Sequence, residues 1–68
     1  MITEIGITAG DIWRVLDKKS PSYLKDVLKE IDAPYDLILM SLGWLAREGH
    51  VNVVKEASEY VISLTQKA

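Results

Sequence analysis

The sequence predicts one small α+β domain in which three helices precede a two-stranded antiparallel β-hairpin. Apolar residues recur at helical spacing as far as Glu48, and beyond Gly49 the pattern changes to β-branched and aromatic runs. A glycine directly after a helical pattern commonly ends the helix, because it can adopt a left-handed conformation. Gly49 should therefore separate a helical part of the chain from a β part.

The first helix has a clear body and two possible starts. Apolar residues recur at helical spacing from Ile5 to Leu16. Thr8 and Asp11 have the form of a capping box, which would start the helix there. The pattern predicts helix over 10–18 and leaves open whether the helix reaches back to Thr3.

The next segment has the form of a helix-turn-helix. Pro21 interrupts the helical pattern and predicts a short extended stretch, with a possible extra strand near Ser20–Ser22. A second helix is predicted over 22–31, and Pro34 is well placed to open a third helix over 35–48. The link between these two helices is short, so they should pack at a steep angle.

The C-terminal part predicts a hairpin. The runs 51–54 and 60–64 are rich in valine and isoleucine, and the polar segment 55–59 should connect them. Three helices followed by one hairpin, all joined by short links, are typical of the winged helix-turn-helix fold, in which the hairpin tip is the wing. No linker or repeat divides the chain, so residues 1–68 should form a single winged-helix domain.

Two motifs carry a family resemblance. The first is the run Ala9-Gly10-Asp11-Ile12-Trp13, and the second is the run from Leu42 to Gly49, which continues into the spacing Leu-x-x-Leu-x-x-Glu-Gly-x-Val. With these motifs the chain resembles a family of small stand-alone prokaryotic winged-helix proteins that was first catalogued as a domain of unknown function. The resemblance implies the fold and brings no catalytic residues with it.

Composition narrows the classes of function. The chain has no cysteine, one histidine (His50) and no glycine-rich or zinc-binding motif, so we expect no enzyme activity, no metal and no cofactor. We expect a cytoplasmic protein, since there is no signal-peptide pattern and no apolar run long enough for a membrane. The net charge of -2 weighs against strong non-specific binding to DNA.

The third helix should have two distinct faces. Helical geometry predicts a buried face of Ile38, Leu39, Leu42, Leu45 and Ala46, with Tyr35 at its edge. The outer face should carry Asp36, Leu37, Met40, Trp44, Arg47 and Glu48. Gly43 is expected to allow the close approach of a neighbouring backbone.

Two hypotheses of function remain open. In the first, the domain is a nucleic-acid-binding, transcription-associated module for double-stranded DNA, because the third helix of such domains usually enters the major groove. Its contacts would come from Ser41 and Arg47 on the third helix and from Ser22, Lys25 and Lys55 on phosphates.

In the second hypothesis the domain binds protein, most simply a second copy of itself. The interface residues would be Leu37, Met40 and Trp44, since a large apolar outer stripe more often meets another protein than DNA. Trp44 could instead pack on the hairpin or the first helix. The two hypotheses are compatible if a dimer presents another face to DNA.

Overall fold

The computed structural model describes residues 1–65 and confirms the predicted winged-helix architecture. Its elements are α1 (Ile2–Lys18), β1 (Ser22–Tyr23), α2 (Leu24–Glu30), α3 (Tyr35–Arg47), β2 (Val51–Glu56) and β3 (Glu59–Leu64). The three strands form one antiparallel sheet in the order β1-β3-β2. The hairpin therefore occupies one side of the helices, with β2 at the edge of the sheet.

Helix α1 is longer than its capping pattern predicts. It begins at Ile2, so the start at Thr8 is wrong. Thr8 and Ala9 are both buried within the helix, and Ile5 is half-buried. Burial of these side chains against the rest of the domain offsets the helix propensity lost at the two glycines.

The second helix begins two residues later than predicted. Ser22 and Tyr23 form β1 and pair with Ile62 and Val61 of β3, which confirms the extra strand in this region. The preceding residue Ser20 accepts a hydrogen bond on its Oγ from the backbone N–H of Leu64, at 3.1 Å. This part of the chain therefore lies along β3 before α2 can start.

The hairpin turn is shorter than the predicted polar connection. Lys55 and Glu56 continue β2, Glu59 begins β3, and only Ala57 and Ser58 form the turn. Cross-strand pairing keeps these polar residues in the strands despite their low β propensity. Ala57 takes a positive φ of 55°, which is a left-handed conformation.

One core joins all the helices and the sheet. Its members are Ala9, Ile12, Leu16, Val27, Ile31, Ile38, Leu42, Leu45, Val51 and Ile62. On α3 the predicted burial of Ile38, Leu42 and Leu45 is confirmed, and Leu39 is half-buried. Ala46 is exposed, so its assignment to the core was wrong, and Ser41 is buried within this face. The contact surface of α3 is thus rotated toward α1 by comparison with the prediction.

Gly43, which lies within α3, and Gly49, which follows the helix, predict opposite responses to alanine. Gly49 has a φ of 81°, whereas no atom lies within 4 Å of the place where a Cβ of Gly43 would stand. The expected close backbone approach at Gly43 was therefore wrong. We expect Gly49→Ala to lower the free energy of unfolding by about 1–2 kcal/mol, and Gly43→Ala to raise it by up to about 1 kcal/mol. Urea unfolding followed by circular dichroism measures both, and equal signs would contradict the assignment.

The turn offers a second matched pair. Ala57→Gly relieves the left-handed backbone but adds freedom to the unfolded chain, so we expect a net gain in unfolding free energy of about 0.5 kcal/mol. Ser58→Gly should lose a similar amount, because positive φ among non-glycine residues 1–65 is confined to Ala57. Thermal unfolding of the two variants beside the parent protein tests this difference.

Candidate nucleic-acid and protein interface

Helix α3 has one buried side and two grooves along its borders. The groove against α1 is lined by Gly6, Ala9, Gly10, Trp13, Trp44, Leu45 and His50. The groove against the hairpin is lined by Leu24, Tyr35, Leu39, Leu42, Gly43, Val53, Tyr60 and Ile62. Between the grooves the exposed residues Asp36, Met40 and Arg47 face solvent. We call this surface of α3 and its two borders the outer α3 face.

Two of the predicted nucleic-acid contacts are not available on the surface. Ser41 is 0% exposed, and its hydroxyl donates a hydrogen bond to the carbonyl of Leu37 at 2.8 Å. Ser22 is also buried, and its hydroxyl donates to the carbonyl of Lys19. Both hydroxyls satisfy backbone groups of their own domain, which is the usual role of a buried serine. We therefore remove Ser41 and Ser22 from the candidate contacts.

The three basic candidates are all exposed, but they differ in their partners. Lys25 Nζ lies 3.6 Å from Glu59 Oε2 and 5.6 Å from the centroid of the Tyr23 ring. Lys55 Nζ lies 5.4 Å from the centroid of the Tyr60 ring. Within residues 1–65, neither Lys55 nor Arg47 has a carboxylate within 4.0 Å. Arg47 and Lys55 are thus the cations of this surface best able to contact a phosphate.

Two exposed tyrosines belong to the outer α3 face and were missing from the predicted sets. Tyr35 and Tyr60 line the same groove, at the N-terminal end of α3 and on the wing. Lys55 and Tyr60 are directly opposed across the hairpin, which places a cation beside an aromatic ring. The alternation of β3 could have suggested the position of Tyr60, but the short turn that brings Lys55 to it could not be seen in the sequence.

The tip of the wing carries negative charge. Glu56 and Glu59 are directly opposed at the end of the hairpin. Like charges in opposed positions destabilise a strand pair. The two glutamates also repel phosphate. A nucleic acid should therefore contact this wing through Lys55 and not through its tip.

The predicted protein-interface residues have unequal exposure. Met40 is 44% and Trp44 is 47% exposed, whereas Leu37 is half-buried. The Trp44 ring centroid lies 6.4 Å from that of His50, with the planes tilted by 42°. Trp44 therefore covers the groove between α3 and α1 with one side and presents the other to solvent.

Comparison with known proteins places the chain in a family. Residues 1–64 match the model of the winged helix-turn-helix domain DUF2582. The chain belongs to this winged helix-turn-helix family. It is also 36% identical over 63 residues to the uncharacterized protein MJ1608 of Methanocaldococcus jannaschii, and the match covers 90% of each chain. No solved structure gives a significant match.

Among the helices of residues 1–65, none combines the length and apolar character that a bilayer crossing requires. In the same residues no group of three histidine or carboxylate side chains comes close enough to hold a metal ion.

The opposed glutamates of the wing give a direct test of its electrostatics. Glu56→Lys replaces a like-charge pair by an opposite-charge pair, so the free energy of unfolding should rise by about 0.2–1 kcal/mol. Glu56→Gln removes the repulsion without adding a cation and should give a smaller gain. The difference between the variants should shrink in 1 M salt, where surface charges are screened. Unfolding curves at low and high salt measure it, and a loss of stability in Glu56→Lys would contradict the arrangement.

Proposed function

We propose that this protein is a non-enzymatic winged helix-turn-helix module that binds double-stranded nucleic acid through the outer α3 face, in a transcription-associated role. The proposal depends chiefly on family membership, since winged-helix domains commonly place this helix in the major groove. The exposure of Arg47 and Lys55 supports it, because both cations lie on the helix and wing that such domains use.

The spacing of the two cations is suited to two separate phosphate contacts. Arg47 ends α3, while Lys55 lies near the far end of β2, which runs back beside the helix toward Tyr35. A duplex lying on the outer α3 face could therefore meet one cation at each end of the helix. Lys25 lies beside Glu59, so it would add a third phosphate contact only by giving up this ion pair.

Binding of this kind should be weak and sensitive to salt. The chain has a net charge of -2, and the wing tip is acidic. With about two phosphates neutralised, affinity should fall roughly tenfold between 50 and 200 mM salt. The apolar residues Met40 and Leu39 could add contacts to thymine methyl groups, which are the apolar feature of the major groove.

A titration of isotopically labelled protein with a mixed-sequence duplex at low salt tests the proposal. We expect amide shifts around Arg47 and Lys55, and we expect Arg47→Gln and Lys55→Gln each to weaken binding by about threefold to tenfold. Lys18→Gln is the matched control, because Lys18 lies in a different groove between α1 and α2. If the duplex shifts no amide signal even at low salt, the proposal is wrong. It is also wrong if Arg47→Gln, Lys55→Gln and Lys18→Gln all lose the same amount of affinity.

A protein partner for the outer α3 face is the second candidate, and the exposure of Met40 and Trp44 favours it. Leu37 would contribute only the part of its side chain that reaches the surface. Desolvated tryptophans often dominate such interfaces, so Trp44→Glu should abolish any complex formed through this face. Light scattering across a concentration series of the parent and the variant would detect a change from dimer to monomer. Identical masses for the two proteins at every concentration would exclude self-association through Trp44.

A further inference from the structure

The groove between α3 and the hairpin has the size and the lining of a small-molecule site. Its volume is about 360 Å³, and such sites commonly measure about 300–1,000 Å³. At its base Leu42 and Ile62 are buried in the core. Its rim is formed by exposed side chains, namely Tyr35, Val53 and Tyr60. A recess with an apolar base and two phenol rings at its rim is suited to the apolar part of a small ligand.

Gly43 is the residue of this groove that packing inside the domain does not explain. It lies within α3, where glycine is less favourable than alanine. No atom of the domain lies within 4 Å of the place where its Cβ would stand, so the fold does not require a glycine here. The missing side chain instead keeps the groove open on its α3 side, where a ligand would lie.

The hairpin side of the groove carries positive charge. Successive side chains of a strand point to opposite faces, and directly opposed residues share a face. Lys55 is opposed to Tyr60, which lines the groove, so both side chains lie on this face of the sheet. Glu56 and Glu59 are one position further along their strands and lie on the other face, where Glu56 lines a different recess. An anionic group at the wing end of the groove would thus meet an attractive charge from the hairpin and no opposing one.

The ammonium of Lys55 is also available for a new partner. Its Nζ lies 5.4 Å from the centroid of the Tyr60 ring, and within residues 1–65 it has no carboxylate within 4.0 Å. The ring keeps the ammonium beside the groove without neutralising its charge.

We propose that this groove binds a small aromatic carboxylate, with its ring against the apolar base beside Gly43 and its carboxylate paired with Lys55 Nζ. Charge complementarity favours an anion, since the groove side of the hairpin carries one cation and no acid. A single ammonium matches the charge of a carboxylate, whereas a phosphate monoester brings about two negative charges. The apolar base favours a ring over a sugar, whose hydroxyl groups would lose water without gaining a hydrogen bond.

Occupation of the groove would also affect nucleic-acid binding, and this consequence rests on the function proposed above. Lys55 is a phosphate contact in that function and is the partner of the carboxylate here. A ring at the rim would in addition occupy part of the outer α3 face that a duplex needs. The carboxylate should therefore compete with the duplex.

Phenylacetate and phenylacetamide are a matched pair of probes, because they have the same ring and nearly the same size but only the first is charged. In isotopically labelled protein we expect phenylacetate to shift the amide signals of Gly43, Val53 and Tyr60 to saturation. Phenylacetamide should shift the same signals with an affinity about threefold to tenfold weaker, since it forms no ion pair. Lys55→Gln should reduce this difference to less than about twofold and leave phenylacetamide binding unchanged.

Two glycine variants test the position of the ring. Gly43→Leu places a side chain in the groove, so it should weaken both probes at least about tenfold, because two groups cannot fill one space. Leucine favours a helix, and circular dichroism should show that α3 stays folded. Gly6→Leu is the matched control, since Gly6 lines the groove against α1 and also has no atom within 4 Å of its Cβ position. This control should bind both probes like the parent protein.

Three results of these titrations would overturn the proposal. The first is phenylacetate that shifts no amide of the groove at tens of millimolar, with ionic strength held constant by sodium chloride. The second is equal affinity of the parent protein for both probes. The third is an equal loss of affinity in Gly43→Leu and Gly6→Leu.

The competition is measured by adding each probe to the protein–duplex complex at constant ionic strength. Phenylacetate should release the duplex more effectively than phenylacetamide does. Phenylacetate that binds the groove but releases no duplex would contradict the competition and leave the carboxylate site established. Because the probe titrations contain no duplex, they decide the carboxylate site whether or not the protein binds nucleic acid.

Discussion

The reversal of the chain at Gly49 is the constraint on which the rest of the structure depends. The N–H of Gly49 donates to the carbonyl of Ala46 at 3.1 Å, and the N–H of His50 donates to that of Leu45 at 2.9 Å. These bonds satisfy the last carbonyls of α3 and turn the chain directly into β2. Val51 thereby enters the core at once, with Ile62 packed in the same cluster. A longer connection between α3 and β2 would not fix the position at which Val51 packs in the core, and the hairpin would be held less firmly against the helices.

The same reversal determines which side of α3 is free. Because β2 starts immediately after the helix and returns beside it, the hairpin covers one border of α3, and α1 covers the other. The outer α3 face is therefore the part of this helix and its borders that stays accessible within residues 1–65. Its chemistry is mixed, with Arg47 and Lys55 as cations and Met40 and Trp44 as large apolar side chains. That mixture explains why family membership and surface composition favour different ligands for one surface.

Features that follow from long periodic patterns could be predicted from the sequence. The three helices, the hairpin and the role of Gly49 belong to this group, since each depends on local residue types. The start of α1 and the two-residue turn could not be predicted, and β1 could be placed only to within a residue or two, because each is decided by pairing or burial against a distant part of the chain. Ser41 shows the same limit within the candidate site. Ser41 was predicted as a nucleic-acid contact, and its complete burial is decided by how α3 packs against the rest of the domain.

The domain presents two unpaired surfaces whose physics differ. The outer α3 face would bind through side chains, so its affinity should respond to charge and to salt. The edge of β2 carries main-chain N–H and C=O groups without a partner in the sheet, and these groups respond little to most side-chain substitutions. Substitutions can therefore alter one surface and leave the other intact.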